Sequence, residues 1–274
     1  VPVYELEDAK WKDVGAHLSS RVKIGPDEKI VNAFVISGFD SSLSLLTLSR
    51  GGMIKRSLLK EYEVSRHSRT MVNMKLADGD EVVSVLSAMD EDEVMIVSAQ
   101  GYITRYPIQL VPLTSLRSKG VKAMNLSDDS AVSACVYHGD EAQLLAVSDH
   151  CAMKRIRMSD IPVLGRPTRG IRLCKRVKSK PYVLKHVRAL RLQDSFMLLH
   201  DGAAQLMQMK DISLMSVEAT FSSPVKNTAN FCFYMPLERI EAEPSASLPI
   251  QEEEDEDSFA EEEFIEGQIS LFDE

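Results

Sequence analysis

The chain has 274 residues, 44% of them hydrophobic, with 32 Lys and Arg against 41 Asp and Glu for a formal net charge of −9. That supplies the core of one repeat-built domain or two ordinary ones. No run approaches the ~20 apolar residues of a membrane-spanning helix, and no charged-then-apolar leader opens the sequence.

The charge is the sum of two unlike parts. Residues 241–274 hold 14 acids and no Lys or Arg, so 1–240 carries 32 basic and 27 acidic residues, a net of +5. A basic body with an acidic tail is a pattern of nucleic-acid binders rather than of strongly acidic enzymes. The boundary is therefore drawn between a folded domain over 1–240 and a tail over 241–274.

Along the chain, Val1–Ile36 supplies only half of the unit that follows, which predicts an incomplete first blade; with a Val at the first position, it also predicts a piece of a longer protein. The unit itself is an apolar strand, a Gly turn and a second strand with a basic end. It reads Leu45-Leu46-Thr47-Leu48 to Lys55-Arg56, then Val94-Met95-Ile96-Val97 to Arg105, then Leu144-Leu145-Ala146-Val147 to Lys154-Arg155. A fourth copy starts at Phe196, and the turn positions Gly52, Gly101, Cys151 and Gly202 are spaced by 49, 50 and 51 residues. A second half-unit alternates with the first, as in Met71–Val85 and Val121–Cys135. Four short strands per unit, with β-branched residues and Gly/Asp/Asn turns, predict an all-β fold of about five four-stranded blades around an axis. A single unit cannot bury both of its faces, so neighbours must stack.

Between the half-units lie loops ending in basic residues and Gly: Thr114–Gly120, followed by Val121-Lys122, and Leu164–Gly170, followed by Ile171-Arg172. Ser65–Arg69 is the earlier equivalent and lacks the Gly. Small residues let backbone amides approach a phosphate while Arg and Lys supply charge. One loop per blade predicts a shared rim. Lys154–Arg191 adds a stripe of 13 basic residues against one acid, Asp160, and includes Lys178-Ser179-Lys180 where other blades carry acidic turns. The expected DNA-binding residues are Lys55, Arg56, Arg105, Arg117, Lys119, Lys122, Lys154, Arg155, Arg166, Arg169, Arg172 and Lys175.

No catalytic constellation emerges. The six histidines fall at no metal-ligand spacing, so no metal site is expected, and Gly51-Gly52 is followed by neither a P-loop nor a dinucleotide-binding pattern. The four cysteines, 16, 23 and 58 residues apart, fit neither a zinc site nor a disulfide framework and are expected as reduced thiols.

The phrases Ser98-Ala99-Gln100-Gly101-Tyr102-Ile103-Thr104-Arg105 and Arg117-Ser118-Lys119-Gly120-Val121-Lys122 resemble the repeat of the C-terminal β-pinwheel domain of bacterial type IIA topoisomerase A subunits. The resemblance covers nearly all of 1–240 and rests on several phased copies. Gyrase members carry a Gln-Arg-Arg-Gly-Gly-Lys/Arg-Gly box that anchors DNA wrapping. Here Thr114–Gly120 and Leu164–Gly170 keep only the basic residue and the last Gly, a departure toward the topoisomerase IV branch. The alternatives are a gyrase pinwheel with a degenerate box and a propeller scaffold for protein partners.

The resemblance implies a duplex-DNA-binding module, not itself an enzyme, of an ATP-dependent machine that decatenates and relaxes DNA. The cleaving Tyr, ATP and Mg would then belong to other domains or subunits, leaving this piece without a cofactor. Implied partners in a heterotetramer are the ATPase B subunit, together with the rest of the A subunit. The implied location is cytoplasmic and nucleoid-associated, with no membrane contact.

The acidic tail, with Pro244, Pro249 and the run Glu252–Asp257, cannot bury enough apolar area to offset chain entropy and is expected to be disordered. Its end, Gln268-Ile269-Ser270-Leu271-Phe272, is similar to the Gln-x-x-Leu-Phe peptide by which bacterial replication proteins dock on the sliding clamp. Leu271 and Phe272 would fill an apolar pocket, with Gln268 hydrogen-bonded at its edge.

Overall fold

The computed structural model describes residues 1–241 apart from 9, 11–13, 23, 40–41, 65–69, 140, 176–180, 226–227, 229 and 236–237. The chain divides into two units, Val1–Glu243 and Pro244–Glu274, and the sixteen strands among the described residues belong to the first. They are β1 (Phe34–Ile36), β2 (Ser44–Ser49), β3 (Met53–Leu58), β4 (Val82–Ala88), β5 (Glu93–Ser98), β6 (Tyr102–Pro107), β7 (Val121–Lys122) and β8 (Ala131–Tyr137). There follow β9 (Gln143–Ser148), β10 (Met153–Arg157), β11 (Ile171–Arg172), β12 (Leu184–Leu190), β13 (Ser195–His200), β14 (Ala203–Gln208), β15 (Phe231–Tyr234) and β16 (Glu238–Ile240). Helical structure among the described residues is confined to short 3-10 turns, one after each hairpin, such as Ile108–Leu110 and Met158–Asp160, and two more before β1.

Each repeat opens with a hairpin: β2–β3, β5–β6, β9–β10 and β13–β14. The turn needs a residue at positive φ, supplied by Gly52 (+79°), Gly101 (+86°) and Gly202 (+79°), and in the third repeat by Cys151 (+58°). The serine that ends the first strand closes the turn, accepting the backbone N–H of Met53 on Ser49 Oγ (3.2 Å), of Tyr102 on Ser98 Oγ (3.1 Å) and of Ala152 on Ser148 Oγ (3.2 Å). The third strand of each repeat, β4, β8, β12 or β15, then pairs with the first strand of its own hairpin.

The fourth strand comes from the next repeat. β7 pairs with β3, β11 pairs with β6, and Ser222 bridges Met153 on β10. This crossing explains the Gly at the end of each basic loop. Gly120 and Gly170 pass against the carbonyls of Ile54 and Ile103, where a Cβ would sit 2.3 and 1.9 Å from the oxygen. Their φ values, +73° and +82°, also lie in the left-handed region. Packing against the preceding blade is thus a reason for these glycines that holds without any ligand.

Five sheets result among the described residues: two of four strands, two of three and one of two. The two-stranded one pairs β1 with β16 in parallel, Phe34 opposite Glu238 and Ile36 opposite Ile240, and so joins the two ends of the repeat array. The apolar first strands are continuous rather than alternating because each blade is sandwiched, and the period of two divides their side chains between two interfaces. Val94 and Ile96 of β5 pack on Leu46, Leu48 and Ile54 of the preceding hairpin, whereas Met95 and Val97 pack on Leu144, Ala146 and Ile156 of the following one. Leu145 and Val147 meet Phe196, Leu198 and Met207 in the same way, and Leu45 with Ile240 and Phe34 forms the core at the joined ends. Cys135, Cys151 and Cys174 are buried free thiols, and Cys232 is exposed.

Candidate nucleic-acid interface

The hairpin-end cations do not face solvent. Lys55, Arg56 and Lys154 are buried, at 1%, 3% and 0% exposure. Lys154 Nζ donates to the carbonyls of Leu173, Val217 (2.7 Å) and Ala219 (2.9 Å), so it ties the loop of the fourth repeat onto the third blade. Lys55 Nζ donates to Ser57 and to Asn73 Oδ1 (3.1 Å). Burial holds both ammonium groups down at about 8.

The next position, Arg56, Arg105 and Arg155, is a recurring clamp. Arg105 Nη1 reaches the carbonyls of Met158 (2.6 Å) and Ile161 (3.0 Å) around the next repeat's 3-10 turn, and its other edge pairs with Glu93 (2.5 Å). Arg155 makes the equivalent bond to Ile212 O (3.0 Å) and a second to Gln143 (3.2 Å), while Arg56 pairs with Asp90 and with Ser44 Oγ (2.9 Å). A cation committed in this way to buried carbonyls is not available to a phosphate. Lys55, Arg56, Arg105, Lys154 and Arg155 are therefore corrected from expected DNA contacts to groups engaged within the fold, with Arg105, Lys154 and Arg155 fastening one blade to the next.

The loop cations divide differently. Arg117, Lys119, Lys122, Arg169 and Lys175 are exposed, and Arg166 and Arg172 are half-buried. The loops that carry them are joined by one hydrogen bond per repeat: Lys75 N to Ser118 O (3.1 Å), Asn125 N to Thr168 O (2.8 Å) and Lys175 N to Glu218 O (3.0 Å). Donor and acceptor each advance by 50 residues per step, so the loops form one connected course across the blades. Arg166 serves that course rather than solvent, donating to Lys122 O (2.7 Å) and Leu110 O (3.0 Å).

The densest group gathers around Tyr102. Pairing of β11 with β6 sets Arg172 opposite Tyr102, and Arg172 Nη2 donates to the Tyr102 hydroxyl at 2.6 Å. The guanidinium carbons of Arg169 and Arg172 lie 4.2 and 4.6 Å from the Tyr102 ring centroid, within cation–π range. Stacking fixes two long side chains that would otherwise lose entropy on meeting a ligand. Beside them a cavity of about 250 Å³ is lined by Gln100, Arg172, Cys174, Lys175 and Tyr182. Tyr102 escapes sequence reasoning because its partners lie about 70 residues away, on a strand donated by the next repeat. In the fourth repeat the corresponding loop, Ser213–Phe221, has Glu218 and no cation, so among the described residues the basic course runs over two loops. Ser65–Arg69, Lys178–Lys180 and the tail residues Gln268, Leu271 and Phe272 lie outside the described residues.

The family described as DNA gyrase C-terminal domain, beta-propeller, matches residues 1–37, 44–88, 92–136 and 144–180. The A subunit of DNA topoisomerase 4 from Staphylococcus epidermidis is 31% identical over 182 residues, covering 66% of this chain and 23% of that protein. The Bacillus subtilis protein of the same name is 29% identical over 212 residues, covering 77% of this chain and 26% of its own. The chain thus spans about a quarter of the length of these curated relatives. A crystal structure of the C-terminal domain of DNA topoisomerase IV superposes with a TM-score of 0.77 at 25% identity, over 85% of this chain and 74% of that one. A DNA gyrase A C-terminal domain gives a TM-score of 0.70 at 20% identity over 86% and 78%, a likeness of fold.

Proposed function

Because the chain belongs to the family of DNA gyrase C-terminal β-propeller domains, we propose that its body is a duplex-DNA-binding module of a type IIA topoisomerase A subunit, of the topoisomerase IV kind. The observation that carries this reading is the connected course of exposed cations, Arg117, Lys119, Lys122, Arg169 and Lys175, with Arg172 stacked on Tyr102. Guanidinium and ammonium groups on a backbone-fastened loop suit phosphates, and no described feature reads base edges, so binding is sequence-tolerant. The two loops lack the Gln-Arg-Arg-Gly-Gly pattern, which favours grip on a crossing segment over extended wrapping. In the parent enzyme the module directs strand passage in decatenation and relaxation, with ATP, Mg and the cleaving Tyr in other domains or the B subunit. The terminal peptide Gln268–Phe272 is a separate docking element for the sliding clamp.

A salt titration tests the DNA reading. Five or six neutralised phosphates give a log–log slope of about −4.5 to −5.4 for duplex DNA, nearly independent of sequence. A flat salt response, or no binding at low salt, refutes it.

A further inference from the structure

A second cavity, of about 430 Å³, opens where the third strands of all four repeats converge. Register makes Leu86, Cys135 and Arg188 equivalent, since they sit opposite Leu46, Met95 and Leu145 at the same place in successive hairpins. All three line the cavity together with Met235 of the fourth repeat. Three repeats thus present an apolar or thiol side chain to this space, and the third presents a guanidinium.

Arg188 is half-buried, and among the described residues its one hydrogen bond runs from Nη1 to its neighbour's carbonyl, Val187 O, at 2.8 Å. No carboxylate among the described residues lies within ion-pair distance. The other charged groups of the wall are committed elsewhere: Glu238, exposed at its edge, accepts the Ser87 hydroxyl, and His138 Nδ1 meets Asp92 at 2.8 Å. With one hydrogen bond to the protein, the guanidinium keeps most of its five N–H donors for water or an anion that enters this partly closed space. Its planar fork matches two oxygens of a carboxylate or phosphate.

We propose that this axial cavity is a binding site for a small oxyanion, a phosphate or carboxylate group held bidentately by Arg188. The site is distinct from the cation course on the loops and does not depend on DNA binding. Its occupant neutralises the one charged member of an otherwise apolar ring and so links the third repeat to the other three.

The probe is inorganic phosphate, titrated into the protein at constant ionic strength and read by thermal shift and by the Arg188 Nε–Hε resonance. Saturable stabilisation is expected, with a shift of that resonance. Arg188→Met should weaken the response at least about tenfold, the value of a charge-assisted hydrogen bond, while Arg169→Gln should leave it intact. An unsaturating response, or one equal in Arg188→Met and the parent, overturns the proposal and assigns the effect to the surface. Should Arg188→Met fail to fold, an Arg188 resonance in the unaltered protein that ignores phosphate is equally fatal.

Discussion

Tyr106 shows how tightly the blade interfaces are drawn. Its ring is fully buried among Leu46, Ile96 and Met124, and its hydroxyl has no hydrogen-bond partner among the described residues. Removing an unmet polar atom from such a place returns its desolvation cost, so Tyr106→Phe should raise stability by ~1 kcal/mol. A higher urea midpoint at unchanged slope is the expected reading. A lower midpoint would show that the hydroxyl finds a water.

The buried ionisable groups pull alkaline stability in opposite directions. Cys135 and Cys151 are pushed up to about 12 and about 11 by burial, so they stay protonated in the fold. Unfolded thiols ionise near ~8.5, so the unfolded state binds fewer protons and stability falls as pH rises above that value. Lys55 and Lys154, held at about 8, lose their proton in the fold while the unfolded ammonium keeps its own to ~10.4. Their contribution therefore rises with pH between about 8 and ~10.4. In Lys154→Met one of these offsets is gone, and the fall in melting temperature from pH ~8.5 to ~10 should be steeper than in the parent. Parallel curves would mean that the carbonyl cage keeps Lys154 charged throughout.

At the scale of elements, the hairpins were readable from the sequence and the exchanged strands were not. Leu45–Leu48, Val94–Val97 and Leu144–Val147 repeat at a fixed period with a turn residue behind each, and the structure puts a hairpin at every one. β7 and β11 are only two residues long and find their partners in the preceding repeat, so no local period announces them. The same blindness misassigned the hairpin-end cations. A repeated Lys or Arg looks alike whether the repetition serves a ligand or the packing of one blade on the next. The hint lay in their setting, since Lys154 follows Met153 in a strand paired with the apolar run Leu144–Val147. Gly170 offers a direct test of the exchange. Gly170→Ala should cost ~2 kcal/mol or more, from a left-handed backbone and a Cβ pressed on the Ile103 carbonyl. Gly139, at φ +71° with open space around it, carries only the backbone part of that penalty and should cost about 1 kcal/mol. Equal losses in urea titrations would show that the exchanged strand yields easily at this point.

For the whole molecule, the division of cations into fasteners and exposed contacts predicts two separable kinds of loss. Arg169 and Lys175 are exposed near the Tyr102 group, so Arg169→Glu with Lys175→Glu places two acids on the loop course. Duplex affinity at low salt should fall at least about tenfold, and the log–log salt slope should flatten by about two, one per lost phosphate contact. Melting temperature should hardly move, because neither side chain is buried. Lys154→Met should behave in the opposite sense. Its ammonium is enclosed by carbonyls of Leu173, Val217 and Ala219, so stability falls while the salt slope stays that of the parent. Fluorescence anisotropy across a salt series, with melting curves on the same samples, separates the two. If Lys154→Met flattened the slope as much as the loop variant, the ammonium would be reaching DNA through a rearranged blade. The sandwich of repeats would then be a looser frame than its buried interfaces imply.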